Sequence, residues 1–599
     1  MIGKVPDTFF NRLISPIPAP NYLRMPVYFQ ESRLRESGYG PMETESPPVL
    51  SFDSGQAATR HLKVPRTDGA WLMLPPAAQA EELVHSNLRA VNEVDQDVQG
   101  CPLSRLRAWT REAVFRAACA YTGTWTSSLP QRSDDPDWFK QAPWIVGGHQ
   151  PTLFHPGVWG KNFALGRLAR KLSGISLNLV VDNDTLASQS IKVPTGTSTT
   201  PQVVPVAFDR SQLKQPWEDV TVQDRQLFES FGQRVTETLS GWHYEPLMAE
   251  FWPRVVAHQH VSRRVADGFT AARNQYEREL GVENLELPLS HLCQLPPFLW
   301  FVSHILAQLP RFRTIYNQSV RAYRQRNGIH STSHPVPELT EIGDWLESPF
   351  WVWRAGDQRR SRLFARRRGE VVELAVDAQQ ALGELPLDGG CDAQQGVARL
   401  QELQAAGLHL RTRALTTTLF SRVCLADLFV HGIGGAKYDE ITDDLIEQFW
   451  ELPVPRYWTV SGTLQLPLGS QPATQSDLDQ QRRNQWDLQW NPARVLAGSE
   501  DPAVQRWCAE FQSALAEPAK DLLARRAKHR ELSRIKSALS ETARERVPAV
   551  AASIDEITRQ LAANRILQDR EYSYVLYPAE KLRRFLTAEN PVGLRREVH

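Results

Sequence analysis

The apolar positions between residues 144 and 181 follow the pattern of a strand, a helix and a second strand. A short apolar run at 144–146 is bounded by glycines and has the length of a strand. Apolar residues then recur every four or five positions from Trp159 to Leu172, as they do along one face of a helix. The run at 175–181 is typical of a buried strand. Because a helical crossover joins parallel strands, the pattern predicts a βαβ unit whose strands end at the same edge of a sheet.

A second unit of strand, loop and helix lies much further along the chain. The apolar run at 423–430 predicts a central strand, and the glycines between 432 and 435 permit close approach of the backbone to a ligand. Apolar residues from Tyr438 to Phe449 line one face of the helix that follows. Because strands and helices alternate along the chain, one mainly parallel sheet is predicted. Its strands are 144–146, 175–181, about 285–289, 423–430 and 457–460.

The predicted fold class is α/β, with a Rossmann-like, mainly parallel sheet core, helical and small β insertions, and a C-terminal helical coiled-coil domain. The small β insertion contains a predicted hairpin, and its arginines between 359 and 368 are interpreted as charges that protect an edge strand. Pro548 is predicted to separate two antiparallel helices in the coiled coil. The predicted segments are an irregular extension at 1–78, a first core part at 79–330 with a helical insertion at about 210–280, the β insertion at 331–408, a second core part at 409–475, and the helical domain at 476–599.

The composition predicts a globular protein of the cytoplasm. The 599 residues are 41% apolar and 23% charged, and 68 acidic side chains balance 68 basic ones. A net charge of zero gives no bulk attraction to nucleic acid or to an anionic membrane. The six cysteines lie far apart without metal-ligand spacing, which is typical of structural thiols in a reducing compartment. No apolar segment is long enough to span a membrane, and no secretion signal is predicted.

Polar side chains follow the predicted strands at the edge where open α/β sheets bind their ligands. His149, His155, Asp182 and Asp184 are the candidate catalytic residues. A carboxylate of this set would orient or deprotonate an amine, and an imidazole would transfer a proton near pH 7. The two histidines are also candidates for capping the helix. No metal site is predicted, because the chain separations fix no geometry. The candidate substrate-binding residues are Gly147, Gly148, Gln150, Asn183, Thr185, His291, Gly432, Gly434, Gly435 and Tyr438.

Two segments carry motifs that resemble a known enzyme family. The loop GGHQPTLFHPGVW and the cluster DNDT are similar to the G-G-Q-Q-x-G-L-x-x-G-P-L-Y loop and the E-D-H-D cluster of the cysteine ligases of bacillithiol synthesis, the cysteine-adding enzymes. The segment LRTRALTTTLFSRVCLADLFVHGIGGAKYDE resembles their R-P-L-x-Q-x-x-L-x-P-T-L-A-Y-x-x-G-P-G-E-x-x-Y segment. The resemblance covers residues 140–470, and a helical tail follows in both. His149 stands where the family has glutamine, the DNDT cluster lacks the family's histidine, and Gly435 replaces its acidic residue.

The resemblance implies a divergent, cysteine-ligase-like enzyme of bacillithiol-type thiol biosynthesis. Such an enzyme joins an amino acid or other amine, cysteine in the family, to a sugar-derived small molecule. ATP or ADP is a candidate cofactor whose need the sequence leaves open. The partners expected are the small-molecule substrate and, through the C-terminal helices, a second copy of the chain; nucleic acid and membrane are not expected.

Two other classes of protein fit the same residues. The stretch LFHPGVW resembles the start of the H-x-G-H motif of nucleotidyltransferases, although Val158 stands at the second histidine position and no K-M-S-K-S loop is present. A non-catalytic protein that binds a small molecule is the third hypothesis, because several polar residues of the family have changed. Binding of cysteine, nucleotides or sugar phosphates to the native state would raise its stability and so separate these classes.

Overall fold

The structure is a computed structural model of the chain and describes residues 62–130, 135, 137–210, 214–333, 336–357, 359–387 and 392–588. Residues 1–61, which make up most of the predicted N-terminal extension, lie outside the described residues. The strands are β1 (Trp71–Leu74), β2 (Trp144–His149), β3 (Ile175–Val180), β4 (Ser190–Gly196), β5 (Pro201–Ala207), β6 (Leu285–Pro288), β7 (Glu341–Ile342), β8 (Trp345–Arg354), β9 (Ser361–Arg368), β10 (Val371–Val376), β11 (Gln380–Pro386), β12 (Leu408–Thr412), β13 (Leu428–His431) and β14 (Trp458–Gly462). The α-helices are α1 (Ala80–Asn92), α2 (Leu103–Thr122), α3 (Pro156–Lys171), α4 (Arg225–Glu229), α5 (Phe231–Leu239), α6 (Met248–His258), α7 (Val265–Glu279), α8 (Leu289–Leu292), α9 (Pro296–Ala307), α10 (Leu309–Arg326), α11 (Gln394–Ala405), α12 (Ala414–Phe420), α13 (Ile433–Tyr438), α14 (Glu440–Gln448), α15 (Gln475–Trp490), α16 (Pro492–Leu496), α17 (Pro502–Ala516), α18 (Leu522–Leu567) and α19 (Ala579–Thr587).

Six strands form the main sheet in the order β1, β14, β13, β2, β3 and β6. Strands β14, β13, β2, β3 and β6 pair in parallel, and β1 joins the edge antiparallel to β14. The predicted single, mainly parallel sheet is therefore confirmed. The chain passes from β2 through β3 to β6 and then returns to place β13 on the other side of β2. The connection after β2 therefore runs towards one edge of the sheet, and the connection after β13 runs towards the other.

The strand predicted at 423–430 is only partly correct. Residues Ser421–Leu425 form a single π-helical turn, and β13 begins at Leu428. Both segments are fully buried, so an apolar run alone cannot distinguish one from the other. Strand β1 lies within the stretch that was predicted to be irregular. Its partner β14 lies almost 400 residues away, so local pattern did not indicate the pairing.

Side chains of the main sheet face two hydrophobic cores, one on each side. Trp144 and Val146 of β2 point into the core that α2, α9 and α10 line, and Ile145 between them points into the core that α3 and α5–α7 line. Burial on both faces is typical of parallel sheets. The predicted helical insertion at about 210–280 is present as α4–α7 and covers α3. Trp159 and Asn162 of α3 both donate to Glu277 of α7, at 2.7 and 2.8 Å.

A second, antiparallel sheet has the order β11, β10, β9, β8 and β12, with β7 paired to β8. The predicted hairpin is confirmed as β8 and β9. Strand β12 pairs with β8, so this sheet extends past the predicted segment boundary at 408. Strand β9 is central, so the interpretation of its arginines as protection of an edge strand is wrong. Arg362 and Arg366 instead form ion pairs with Asp377 and Glu373.

The C-terminal segment is helical, and α18 is a helix of 46 residues. Helices α15 and α17 pack along it around a third hydrophobic core that includes Leu488, Leu496 and Ile535. Pro548 lies inside α18, so the prediction that it separates two helices is wrong. A proline removes one backbone hydrogen bond, which the long helical segments on both sides tolerate. The coiled coil and the homodimer contact stay predictions. Across the described residues, no helix combines the length and the apolar character needed to cross a membrane.

Candidate functional site

The carboxyl ends of β2 and β13 form the part of the main sheet where a ligand is expected. His149 is the last residue of β2, and His431 is the last residue of β13. These strands are neighbours whose connections leave on opposite sides, and open α/β sheets bind ligands at such a place. We refer to the region at the carboxyl ends of these two strands, which contains His149, Lys161, His431 and Gly432, as the switch-point crevice.

Lys161 extends from α3 to both strand ends. Its Nζ donates to the carbonyl oxygen of Gly148 at 3.2 Å, and a Cβ added to Gly432 would lie 3.9 Å from its Cδ. The residue is only 5% exposed, and no described carboxylate lies within ion-pair distance of its Nζ. Burial lowers the pKa of Lys161 to about 8. A buried ammonium without a counter-ion is costly, so a bound anion would stabilise it.

His431 and Asp439 form a buried pair beside the crevice. Nε2 of His431 lies 2.9 Å from Oδ2 of Asp439, which also accepts from Nη1 of Arg422 at 2.7 Å. Burial alone would raise the pKa of Asp439, but His431 and Arg422 lower it below its usual range, so the carboxylate stays ionised at pH 7. A carboxylate at Nε2 fixes the proton there and leaves Nδ1 to accept another. A Cβ on Gly435 would lie 2.7 Å from Nδ1, so only a residue without a side chain fits beside that nitrogen.

His149 borders the crevice as a neutral ring. Its Nδ1 lies 3.0 Å from the carbonyl oxygen of Gln150 and therefore carries the proton. The ring packs edge-to-face against Phe154, with the centroids 5.0 Å apart. Burial, and then the charge of Lys161, lower the pKa of His149 to about 3. The low pKa keeps the ring neutral near pH 7, and the proton transfer predicted for this imidazole stays a prediction.

His155 caps α3, in agreement with one of the two sequence hypotheses. Its Nδ1 accepts from the N–H of Gly157 at 3.1 Å. Nη2 of Arg570 lies 3.3 Å from the same nitrogen. Burial, and then the charge of Arg570, lower the pKa of His155 to about 3. The ring therefore caps the start of α3, and its role as a proton carrier stays a prediction.

Asp184 faces the crevice from the turn that follows β3. Its Oδ2 accepts from Nε2 of Gln150 at 3.0 Å, and its Oδ1 accepts from Nη2 of Arg360 at 3.1 Å. The side chain is 41% exposed, so a ligand can reach it. Burial raises the pKa of Tyr438, and the negative charges of Asp439 and Asp184 add to that effect, which places Tyr438 in the same electrostatic environment.

Asp182, two residues earlier, points away from the crevice. It accepts from the N–H of Ser290 at 2.9 Å and from the hydroxyl of the same residue. Burial, and then the charge of Glu218, raise its pKa to about 7. Asn183 donates to a backbone carbonyl of β12, and Thr185 forms an isolated bridge to the segment before residue 217. The DNDT turn therefore presents its two carboxylates in different directions.

Gly147 and Gly148 lie within β2 rather than in a loop, which corrects the prediction that they bind substrate in a loop. A Cβ at Gly147 would meet the side chain of Leu165 at 3.1 Å, and a Cβ at Gly148 would meet the carbonyl oxygen of Leu179 at 2.9 Å. Close packing accounts for both glycines. Gly434 differs, because a Cβ there would meet no atom within 4 Å.

His291 lines a second cavity of about 340 Å³, together with Glu218, Arg264, His409 and Arg411. Ser290, the partner of Asp182, lines the same cavity. The structure therefore divides the predicted site residues between two places. His149, Gln150 and Asp184 lie at the switch-point crevice, whereas His291 lines the second cavity and Asp182 is hydrogen-bonded to Ser290 of its lining. The glycine loop predicted at 432–435 is instead the N-cap and first turn of α13, which runs on to Tyr438.

Lys161, His431 and Asp439 were not among the predicted site residues. A lysine in an amphipathic helix is normally exposed, and the sequence does not show that α7 packs over α3. His431 did carry a signal, because it is a histidine at the end of a predicted strand, directly before the glycines. Acidic residues are common near the start of a helix, so Asp439 gave no separate signal that it pairs with the imidazole of His431.

Comparisons of the chain with protein-family models and with curated proteins returned no match. The functional assignment therefore depends on the geometry of the crevice and on its chemistry.

Proposed function

We propose that this chain is a cysteine-ligase-like enzyme that binds an anionic, sugar-derived small molecule in the switch-point crevice and joins it to an amino acid or other amine. The observation that carries the proposal is the buried ammonium of Lys161, which has no carboxylate partner among the described residues. A carboxylate or phosphate of the substrate would supply the missing negative charge. The motif resemblance to the cysteine-adding enzymes supports the reaction class.

The polar side chains of the crevice could orient an amine and remove its proton. An amine is protonated in water at pH 7, and it attacks only after it has lost a proton. Asp184 attracts and orients the ammonium, and Nδ1 of His431 accepts the proton. Asp439 then stabilises the imidazolium, because it remains ionised beside Nε2. The neutral nitrogen attacks the electrophilic carbon of the second substrate, and the bond from that carbon to its leaving group breaks as the C–N bond forms. If ATP activates the carbon, the leaving group would be phosphate or AMP. A nucleotide such as ATP is the candidate activating group for that carbon.

Ligand binding tests the location of the site. Full-length protein is screened by thermal unfolding against cysteine, other amino acids, ATP, ADP and sugar phosphates. A ligand at 100 times its Kd should stabilise the wild type by about 2.7 kcal/mol. Lys161→Met should abolish the stabilisation by the anionic ligand. Lys171→Met is the matched control, because Lys171 lies on the same helix but its side chain is 66% exposed.

Product analysis tests the reaction. The wild type, incubated with the amine and the anionic ligand found in the screen, should form a product whose mass shows that the two have been joined. His431→Gln should bind the ligand with unchanged affinity but form product at least about 100 times more slowly. Binding without any product in the wild type would favour the non-catalytic hypothesis. A nucleotide-linked product would favour the nucleotidyltransferase.

A further inference from the structure

Three side chains of the types that bind metal ions meet at the second cavity, and none of them belongs to the switch-point crevice. Glu218 and Asp219 lie on the short helical turn Trp217–Asp219, and His409 is the second residue of β12. One ligand atom of each of these three residues lies within 4.8 Å of the other two. Glu218 and His409 also line the cavity of about 340 Å³, which gives a small ligand access to the cluster.

The imidazole of His409 has an unsatisfied nitrogen that points into this cluster. Its Nδ1 is buried without a hydrogen-bond partner and lies 3.7 Å from Oε2 of Glu218. That separation is too long for a hydrogen bond. It fits two ligands of one ion, since bonds of about 2.0–2.2 Å to each atom span it at an open angle.

We propose that Glu218, Asp219 and His409 bind a divalent transition metal ion, with Zn²⁺ as the best match. One imidazole and two carboxylates are ligands that Zn²⁺ accepts at tetrahedral distances. Three protein ligands leave the fourth position facing the cavity, where water or a substrate atom binds. Such an open position is the feature that distinguishes catalytic zinc sites from structural ones.

Contacts with neighbouring side chains hold the three proposed metal ligands in place. Nε and Nη2 of Arg411 donate to the two oxygens of Glu218 at 2.9 and 2.7 Å, and each oxygen keeps a second lone pair. Nε1 of Trp353 donates to Oδ2 of Asp219 at 3.3 Å, and the same indole packs edge-to-face against His409. Ligating carboxylates and imidazoles are commonly oriented by such second contacts.

The charges around the cluster decide what else binds. Glu218 forms an ion pair with Arg411, so within the cluster and this pair one carboxylate charge, that of Asp219, remains before an ion binds. Arg264 also lines the cavity, and a bound divalent ion would make the whole site positive. The ligand at the fourth position is therefore anionic, either hydroxide or a carboxylate. This inference is independent of the crevice, because it uses none of the crevice residues.

Metal titration of the full-length protein tests the site. Chelator-treated protein is dialysed against Zn²⁺, its metal content is measured, and its affinity is determined by competition with a chromogenic chelator. The wild type should bind one equivalent, and His409→Gln and Asp219→Asn should each weaken binding by at least about 100-fold. Trp353→Phe, which removes an outer contact, should weaken it by about 10-fold. Circular dichroism confirms that each variant is folded.

His291→Gln is the matched control, because His291 lines the same cavity but lies outside the cluster. Its Zn²⁺ affinity should equal that of the wild type. Absence of stoichiometric Zn²⁺ in the wild type overturns the proposal, as does wild-type affinity in both ligand variants. Equal losses in His291→Gln and His409→Gln would also overturn it, because the ion would then not be held by the three named side chains.

Discussion

Gly435 and His431 lie so close together that a Cβ on residue 435 would stand 2.7 Å from Nδ1 of the imidazole. Real Cβ atoms do not approach a ring nitrogen to that distance, so any side chain at this position would displace the ring or cover its free nitrogen. Among the described residues, the only hydrogen-bond partner of the ring is Asp439, which contacts its other nitrogen. The glycine therefore leaves the place beside Nδ1 free of a side chain, which the proposed proton transfer requires.

Gly435→Ala should reduce product formation by about 100-fold or more, because general bases contribute on that scale. Overpacking should also cost about 1–3 kcal/mol of stability. Gly434→Ala is the control, since a Cβ there meets no atom within 4 Å. Steady-state kinetics and urea unfolding of both variants provide the check. Equal activity in Gly435→Ala and the wild type would show that Nδ1 of His431 is not used.

Lys161→Met should raise the free energy of unfolding at pH 7. Burial lowers the pKa of this lysine from 10.5 to about 8, so the charged form costs about 3 kcal/mol in the folded state. This destabilisation is complete below pH 8, where the lysine is charged in both states. It decreases between pH 8 and pH 10.5, because the folded lysine is then neutral, and it disappears once the unfolded chain has also lost the proton. Urea unfolding at pH 7 and pH 10.5 should therefore show a difference between variant and wild type only at the lower pH. Lys171→Met should show no such difference.

Asp182→Asn should remove a pH dependence of stability. The folded-state pKa of Asp182 is raised from 3.8 to about 7, so the wild type is most stable below pH 4 with respect to this group and loses that contribution as the pH rises to 7. Asparagine retains an oxygen that accepts from Ser290 and has no charge to lose. The unfolding free energies of variant and wild type, measured between pH 4 and 8, should diverge with increasing pH. Parallel curves would contradict the raised pKa.

Asp427→Ala should destabilise the fold by about 3–5 kcal/mol, because it leaves buried charges unpaired. Its carboxylate accepts from Arg107 at 2.9 Å and from Arg111 at 2.5 Å, and also from the N–H of Trp144 at 2.8 Å. These bonds join α2 to the first residue of β2 and to the segment before β13. Denaturant unfolding measures the loss. Asp357→Ala, at an exposed turn, should change stability by less than about 0.5 kcal/mol.

The strands of the main sheet could be predicted because a buried strand is a short apolar run between turn residues, and 144–146, 175–181 and 285–289 have that form. The same rule failed at 423–427, since a buried helical turn is equally apolar. The prediction of a helix break at Pro548 was wrong for a related reason. A proline is a local signal against a helix, whereas the packing of α15 and α17 along α18 is not local.

The sequence predicted where the candidate site lies, but not which of its side chains are buried or which charges they contact. The positions of His149, Asp184 and the glycines after β13 followed from the predicted strand ends, because the carboxyl ends of parallel strands lie at one edge of the sheet. Which side chain is buried, and against which charge, depends on segments that are distant in the chain. Asp182 and Asp184 are separated by one residue, yet Asp182 contacts Ser290, whereas Asp184 contacts Gln150 and Arg360.

The pairing of β2 with β13 has a consequence for how the chain folds during synthesis. Ile145 pairs with Leu428, so the centre of the main sheet joins segments almost 300 residues apart. A ribosome delivers β2, β3 and β6 long before β13, and until then the hydrogen-bonding edge of β2 remains without its partner. An open apolar edge promotes association with other nascent chains, and contacts of this sequence separation close slowly. Translation that pauses between β6 and β13 should therefore lower the yield of native protein more than a pause after β14.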